Sequence, residues 1–392
     1  MKIIFLGLMY SETSFKEAYR DDKVKVQVAP QVFQSNLLSG FDGRCDHTVK
    51  VINVPPTGSF PMNNRRLFFK KILWGKENVQ IGFINLPFIK HVPQRIKILK
   101  EVVKTIKKEK DVGIVIYTLY KPFMQVAKTV KKRFPNVPIT LIQTDPVPGR
   151  DESKNPSSKK IKKGNELVKL AKACDSFVVL TKYLNDALEV GDRPSIVMEC
   201  VSDSKVEMAS LTDGKEKACL YAGGLWPEYG INDLVDAFKI TKEGELWLCG
   251  GGGSVDYIKD ACKNYPNIKF LGFVDRDEIK RLQNQADFMI NPRRPTGTFT
   301  KHSFPSKTVE YMATAKPTIM YKLEGVPDEY DNYLNYLTGD TPEKIATELK
   351  KLFSSDYQEL LNKAQAGRDF VLTAKSPSVQ VERILQLQKR NK

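Results

Sequence analysis

Cysteine and histidine are scarce in this chain, and each scarcity excludes a class of protein. The six cysteines, at positions 45, 174, 200, 219, 249 and 262, show no CxxC spacing, and only three histidines occur among 392 residues. A disulfide scaffold and a Cys/His metal centre are therefore not expected. No run of 18 apolar residues occurs, so no membrane-spanning helix is expected. The opening MKIIFLGL is shorter than a signal-peptide core and lacks a small-residue cleavage pattern. The expectation is a reduced, cytoplasmic, soluble protein. Compositional bias is lacking too: 41% hydrophobic and 28% charged residues are ordinary globular values. They exclude wholesale disorder, collagen-like and coiled-coil structure.

The charge that is present is unevenly placed. Residues 1–200 hold 35 Lys and Arg against 19 Asp and Glu, whereas residues 201–392 hold 27 of each, so the whole net charge of +16 lies in the first half. Such asymmetry implies two halves with different partners, the first of them meeting something anionic. No helix-turn-helix, RNP or zinc module is recognisable, so nucleic acid is not the expected partner.

Apolar β-rich runs alternate with helical patterns along the whole length. Strands are expected at 2–8, 24–28, 49–54, 79–84, 113–118, 138–143 and 176–180, and again at 218–222, 245–249, 268–272, 287–290 and 317–321. Helical spacing falls between them, at 94–108, 124–134, 167–174, 231–240, 276–285 and 308–315. Near-continuous apolar strands joined by helices predict parallel sheets covered on both faces. The charge balance changes at the polar stretch 201–215, which sets the expected division: 1–205, 206–378, and a C-terminal helix 379–392 able to pack on either domain. The basic stretch 149–164 reads as a mobile loop.

In doubly wound sheets, ligands sit beyond the carboxyl ends of the strands. Four junctions of the second half carry suitable residues: Gly223 and Gly224; Gly250 to Gly253; Gly272-Phe-Val-Asp275, with Asp275 as helix cap; and Asn291-Pro-Arg-Arg294 through His302-Ser-Phe-Pro-Ser-Lys307. Taken singly, each has a plain structural reading as a turn, a cap or a surface cation. Ser306 is the expected N-cap of the last helix, with Glu310 one turn on and facing the same side.

In this order, YAGGL, WPEYGINDLVDAF, LWLCGGG, FLGFV, INPR and KHSFPSKTVEYMATAKPTI resemble the nucleotide-sugar glycosyltransferases of the GT-B fold. More narrowly they are similar to the large retaining family (group 1 type) of bacterial capsule, exopolysaccharide and lipopolysaccharide enzymes. The resemblance is specific over residues 218–335. It implies an α/β, GT-B architecture: two Rossmann-like domains with parallel sheets facing across a cleft. It also implies a nucleoside diphosphate sugar, UDP-linked in preference to GDP-linked, held by the second domain. Gly223, Gly224, Gly250 and Gly251 would let backbone approach the diphosphate. Phe304, Pro305, Ser306, Lys307 and Thr308 would bring a helix N-terminus to it, Phe273 and Val274 would lie by the base, and Glu310 would hold the ribose. Two family cations correspond here to Leu225 and Tyr229, and the first of two family glutamates to His302. Arg293, Arg294, Lys301 and Lys307 are the expected substitutes.

In the first domain the family's histidine turn corresponds to Tyr120, and Asp145 follows the next strand. Asp145 reads equally as a turn former before proline. With His302 these are the candidate catalytic residues. No cofactor and no metal are expected. The implied reaction passes a sugar to a lipid-linked or growing cell-surface glycan; the alternative is a catalytically silent GT-B protein that binds another glycosyltransferase. One further segment, residues 61–76, mixes large apolar residues with five cations. Read as a helix, it gathers Phe68, Phe69, Ile72 and Leu73 opposite Arg66, Lys70 and Lys71. Such a helix either half-buries itself in its own domain or rests on an anionic membrane surface, the second placing the protein peripherally on the inner face.

Overall fold

The structure, a computed structural model, describes all residues except 21–26, 43–45, 63, 88, 151–154, 203–205, 297–299 and 391–392, and of 19 and 20 the backbone alone. Packing divides the chain into two compact units. The first comprises Met1–Val201, Lys301–Phe304 and Ser376–Lys392; the second comprises Ser202–Thr300 and Pro305–Lys375.

The first unit begins with β1 (Lys2–Gly7), α1 (Glu12–Arg20), α2 (Val28–Ser39) and β2 (Thr48–Asn53). Four short strands follow, β3 (Phe68–Phe69), β4 (Ile72–Trp74), β5 (Asn78–Gln80) and β6 (Phe83–Ile84). Then come α3 (His91–Lys108), β7 (Val112–Tyr117), α4 (Lys121–Arg133), β8 (Ile139–Gln143), α5 (Ser158–Ala171), β9 (Ser176–Val179), α6 (Leu184–Ala187) and β10 (Ser195–Val197). Eight of these strands form a sheet in the order β10-β9-β8-β7-β1-β2-β5-β4, parallel except for β4 against β5, while β3 and β6 pair separately as an antiparallel ribbon. In β1, Ile3 and Phe5 pack into one apolar cluster and Ile4 and Leu6 into another. Both faces are covered, which is why the strand is apolar throughout.

The second unit runs β11 (Ala218–Gly224), α7 (Ile231–Thr241), β12 (Glu245–Gly251), α8 (Val255–Asn264), β13 (Ile268–Gly272), α9 (Arg276–Gln285), β14 (Phe288–Asn291), α10 (Ser306–Met312), β15 (Thr318–Tyr321), β16 (Asn335–Leu337), α11 (Pro342–Phe353) and α12 (Tyr357–Ala374). Its sheet is parallel throughout, in the order β13-β12-β11-β14-β15-β16. The chain builds outward from β11 through β12 and β13, then restarts on the other side with β14. The strand order therefore reverses between β11 and β14, the place where doubly wound sheets open a crevice. The last helix, α13 (Pro377–Arg390), belongs to the first unit. Val381, Ile384 and Leu385 are fully buried, and the Gln388 amide donates to the Ile114 carbonyl at 3.0 Å and to Thr140 at 2.6 Å.

Four sequence expectations change. Residues 61–76 are not a helix. Phe68 and Phe69 pair with Ile84 and Phe83, and β4 turns through Gly75 into β5, so long-range pairing overrides the local helical pattern. The loop expected at 149–164 is helical from Ser158, with Ser157 as its cap accepting from the Lys160 amide; residues 151–154 lie outside the described residues. The strand at 79–84 is two strands parted at Ile81–Gly82. Of the strand at 24–28, residues 24–26 lie outside the described residues, and Val28 opens α2.

Candidate functional site

Because every strand of the second sheet runs the same way, the ends of β11, β12, β13 and β14, where the four junctions singled out by sequence begin, all lie along one edge. Gly223 and Gly224 of β11 stand in register with Gly250 and Gly251 of β12. Gly250 has φ +127°, and a Cβ there would lie 1.9 Å from the Gly223 carbonyl oxygen, so no other residue fits. The Tyr221 hydroxyl donates to the Gly224 carbonyl at 2.9 Å and braces the turn; burial pushes its pKa up to about 12. Beyond the turn the Leu225 amide donates to the Gly251 carbonyl at 3.0 Å, and its side chain is fully buried. The place of one family cation is thus a core position.

Tyr229 and Gly230 close this loop against the one that follows β14. Gly230 has φ +79°, and its missing side chain leaves room for the Pro292 carbonyl, 2.4 Å from where a Cβ would stand. That close approach sets the Arg293 guanidinium over the Tyr229 ring, 5.3 Å from its centroid. Burial lowers the Arg293 pKa from its usual value, yet guanidinium stays protonated at neutral pH. A cation absent from position 229 is thereby present against it, brought from another strand. Arg294 has a different role: it pairs with Asp233 of α7 at 3.1 Å.

Helix α10 is pinned to this edge by fully buried Tyr311, whose hydroxyl accepts from the Ala222 amide at 3.0 Å. Tyr311 also joins Leu220, Ala222, Cys249 and Met289 in the apolar cluster beneath the glycine turns, against which Val274 packs. One turn along α10, the Lys307 ammonium donates to Glu310 at 3.0 Å, and both side chains remain partly exposed. Phe273, beyond β13, is 88% exposed.

One expectation at this helix is corrected. Ser306 is not the cap: Pro305 holds the cap position, with no side-chain capping bond, and Ser306 is the first helical residue. Thr308 is fully buried with its hydroxyl on the Met320 sulfur at 3.5 Å, so its side chain faces the core. His302 and Phe304, together with Lys301, pack with the first unit, where the His302 ring lies 6.4 Å from that of Tyr183.

In the first unit, Tyr120 caps α4 without a side-chain bond to it. Its hydroxyl instead donates to Gln94 at 2.5 Å and lies 3.3 Å from His91 Nδ1, both on α3. Burial raises the Tyr120 pKa further above the ordinary phenol value. The hydroxyl is a tie between helices rather than a free acid. His91, to which the sequence assigned no role, is the imidazole at this place, its ring 5.6 Å from that of Tyr120. Burial, then the Lys90 and Lys121 charges, lowers its pKa and favours the neutral ring. At 29 positions apart, the two give no sequence spacing that signals the pair. Asp145 follows β8 on a bend reached by solvent; crowding around it raises its carboxyl above the ordinary value of 3.8. Among the described residues no group of three or more His, Cys, Asp or Glu is placed to hold a metal ion, and no helix is long and apolar enough to cross a membrane.

Residues 216–355, which contain this whole edge, match the family model described as glycosyl transferases group 1. An uncharacterized glycosyltransferase of Methanocaldococcus jannaschii is 27% identical over 147 residues, a match that spans 36% of this chain and about a third (36%) of that relative's own length. Among solved structures, the sucrose-phosphate synthase of Thermosynechococcus elongatus superposes with TM-score 0.63 at 14% identity, covering 100% of this chain and 98% of that one. The lipopolysaccharide outer core galactosyltransferase WaaB gives 0.61 at 11% identity, covering both chains fully (100% each). HepE of Anabaena, in complex with UDP-glucose, gives 0.61 at 15%, again over 100% of both. Residues 216–355 are thus similar in sequence to the group 1 glycosyl transferases, and the fold of the chain is that of the GT-B structures it superposes on.

Proposed function

We propose that this protein is a glycosyltransferase that takes a sugar from a nucleoside diphosphate donor, UDP-linked in preference to GDP-linked. The observation that carries the reading is the single edge at the β11/β14 reversal, where paired glycines, Arg293 over Tyr229, and the Lys307–Glu310 pair converge. Glycine turns admit phosphate oxygens to backbone amides, Arg293 supplies charge to the diphosphate, and the Glu310 carboxylate accepts from vicinal ribose hydroxyls. A cation that stabilises a departing diphosphate does the work a metal does elsewhere, so the reaction is proposed to be metal-independent and cofactor-free. Retention of configuration is proposed with it. UDP-glucose in the complex of the HepE structure supports the choice of nucleotide.

The acceptor is proposed to be a lipid-linked or growing cell-surface glycan met by the basic first unit, with the protein peripheral on the inner face of a membrane. His91, packed against Tyr120, offers an imidazole in that unit. Isothermal titration with UDP and GDP, followed by a donor-hydrolysis assay, tests the reading; binding of neither nucleotide refutes it. The buried Leu225 in place of a family cation favours a second reading, a catalytically silent partner of another glycosyltransferase. That reading predicts nucleotide binding without turnover.

A further inference from the structure

We propose that the β3–β6 ribbon and the start of α3 form a lipid-docking surface, with a groove that takes an aliphatic chain of an anionic membrane phospholipid. The proposal deepens the peripheral placement above and is independent of the transferase reading.

Large hydrophobic side chains exposed to solvent are clustered here. Of the eighteen among the described residues, seven fall between positions 62 and 96, including Phe68 at 65% exposure, Ile84 at 49% and Ile89 at 60%. Phe68 and Ile84 are cross-strand partners, so they share one face of the ribbon. The opposite face carries Phe69 and Phe83, buried and stacked with centroids 4.8 Å apart. The exposed pair is thus held on a rigid two-stranded platform. Between ribbon and helix runs a groove of about 380 Å³, lined by Phe68 and Ile84, by parts of Phe69 and Phe83, and by Leu86, Ile89 and Pro93, with Lys71 and Lys97 also in its wall. That volume is at the lower end of small-ligand sites, roughly 300–1,000 Å³, and suits a chain rather than a protein domain. Lys97 donates to the Gly82 carbonyl at 2.7 Å and ties α3 to the ribbon. Val92 and Ile96, each one residue before Pro93 and Lys97 on α3, are 60% and 61% exposed and continue the apolar face.

Charge selects the occupant. Residues 61–108 contain twelve Lys and Arg against only Glu77 and Glu101. A contiguous apolar face marks an interaction site, and an apolar groove with Lys71 and Lys97 in its wall, in a segment so rich in cations, matches acyl chains beneath anionic headgroups. The arrangement differs from the amphipathic helix that sequence alone suggests. Phe69 is buried and the Trp74 indole donates to Asn53 at 3.0 Å, so of the aromatics in that segment Phe68 is the one presented.

The test is co-sedimentation of the full chain with phosphatidylcholine vesicles, with and without phosphatidylglycerol, for wild type and Phe68→Ser/Ile84→Ser. A Phe68→Trp variant is read separately by quenching from brominated acyl chains. Both substituted side chains are exposed, so thermal unfolding should not move. Expected results are binding to anionic vesicles only, at least a tenfold loss of partition in the double variant, and quenching of the introduced indole. Wild-type binding that the double variant retains, or no quenching, overturns the groove while leaving charge-driven peripheral binding in place. No binding to either vesicle overturns both. A concentration-dependent dimer that the double variant abolishes would assign the face to a second copy instead.

Discussion

Changing Arg293 to Gln separates a structural from a functional role for the guanidinium on the glycine-turn edge of the second sheet. Its contact with the Tyr229 ring, at 5.3 Å, contributes on the order of 0.5–2 kcal/mol to folding. Its burial, which lowers its pKa, opposes that contribution. The two offset, and the net change in stability should stay within about 1 kcal/mol. A charge-assisted bond to phosphate is worth roughly 1.5–3 kcal/mol, or about 12- to 150-fold in Kd. Titration of UDP calorimetrically, beside a thermal unfolding curve, reads both quantities in one preparation. Arg294→Gln serves as the control: it breaks the 3.1 Å pair with Asp233 and should lower stability by about 1 kcal/mol while leaving UDP affinity alone. If Arg293→Gln binds UDP as tightly as wild type, the cation does not face the diphosphate and does not stand in for the one missing at position 229.

Glu310→Gln should lose about 1–3 kcal/mol of nucleotide affinity with little change in folding, because its pair with Lys307 is partly exposed; UDP titration checks it, and equal affinity would place the ribose elsewhere. Tyr120→Phe removes the bonds to Gln94 and His91, so chemical denaturation should show about 1–2 kcal/mol less stability with turnover reduced only a few-fold. A collapse of kcat at unchanged stability would restore Tyr120 as a catalytic acid. Lys316 is 1% exposed, and burial pushes its pKa down to about 8 from 10.5. The unfolded state therefore holds more protons between pH 8 and 10.5, and this group's penalty, up to about 3 kcal/mol below pH 8, is relieved as pH rises through that window. Lys316→Met should raise Tm at pH 7 and flatten that alkaline rise relative to wild type; identical pH profiles would show that the ammonium is solvated.

Sequence alone determined the alternation of strands and helices, the parallel character of both sheets, and the edge on which Gly223, Gly224, Gly250, Gly251 and Glu310 stand. Those features are local or periodic: a strand covered on two faces must be apolar throughout, and a parallel sheet puts every strand-to-helix junction at one edge. It also determined the Asp275 cap, whose carboxylate accepts from the Glu278 amide at 2.9 Å. What only tertiary structure decided involves partners far apart in the chain. Residues 61–76 have a helical pattern of their own, and Phe68–Phe69 and Ile72–Trp74 became strands because Phe83, Ile84 and the β5 residues pair with them. Arg293 reached Tyr229 through the contact of Gly230 with Pro292, and Tyr120 met His91 because α3 packs on α4. Ser306 lost the cap to Pro305, and Thr308 turned to Met320, because Tyr311 fixes the rotation of α10 by bonding to β11. In each case a one-dimensional pattern leaves the long-range partner undetermined, and that partner sets which way the side chain faces.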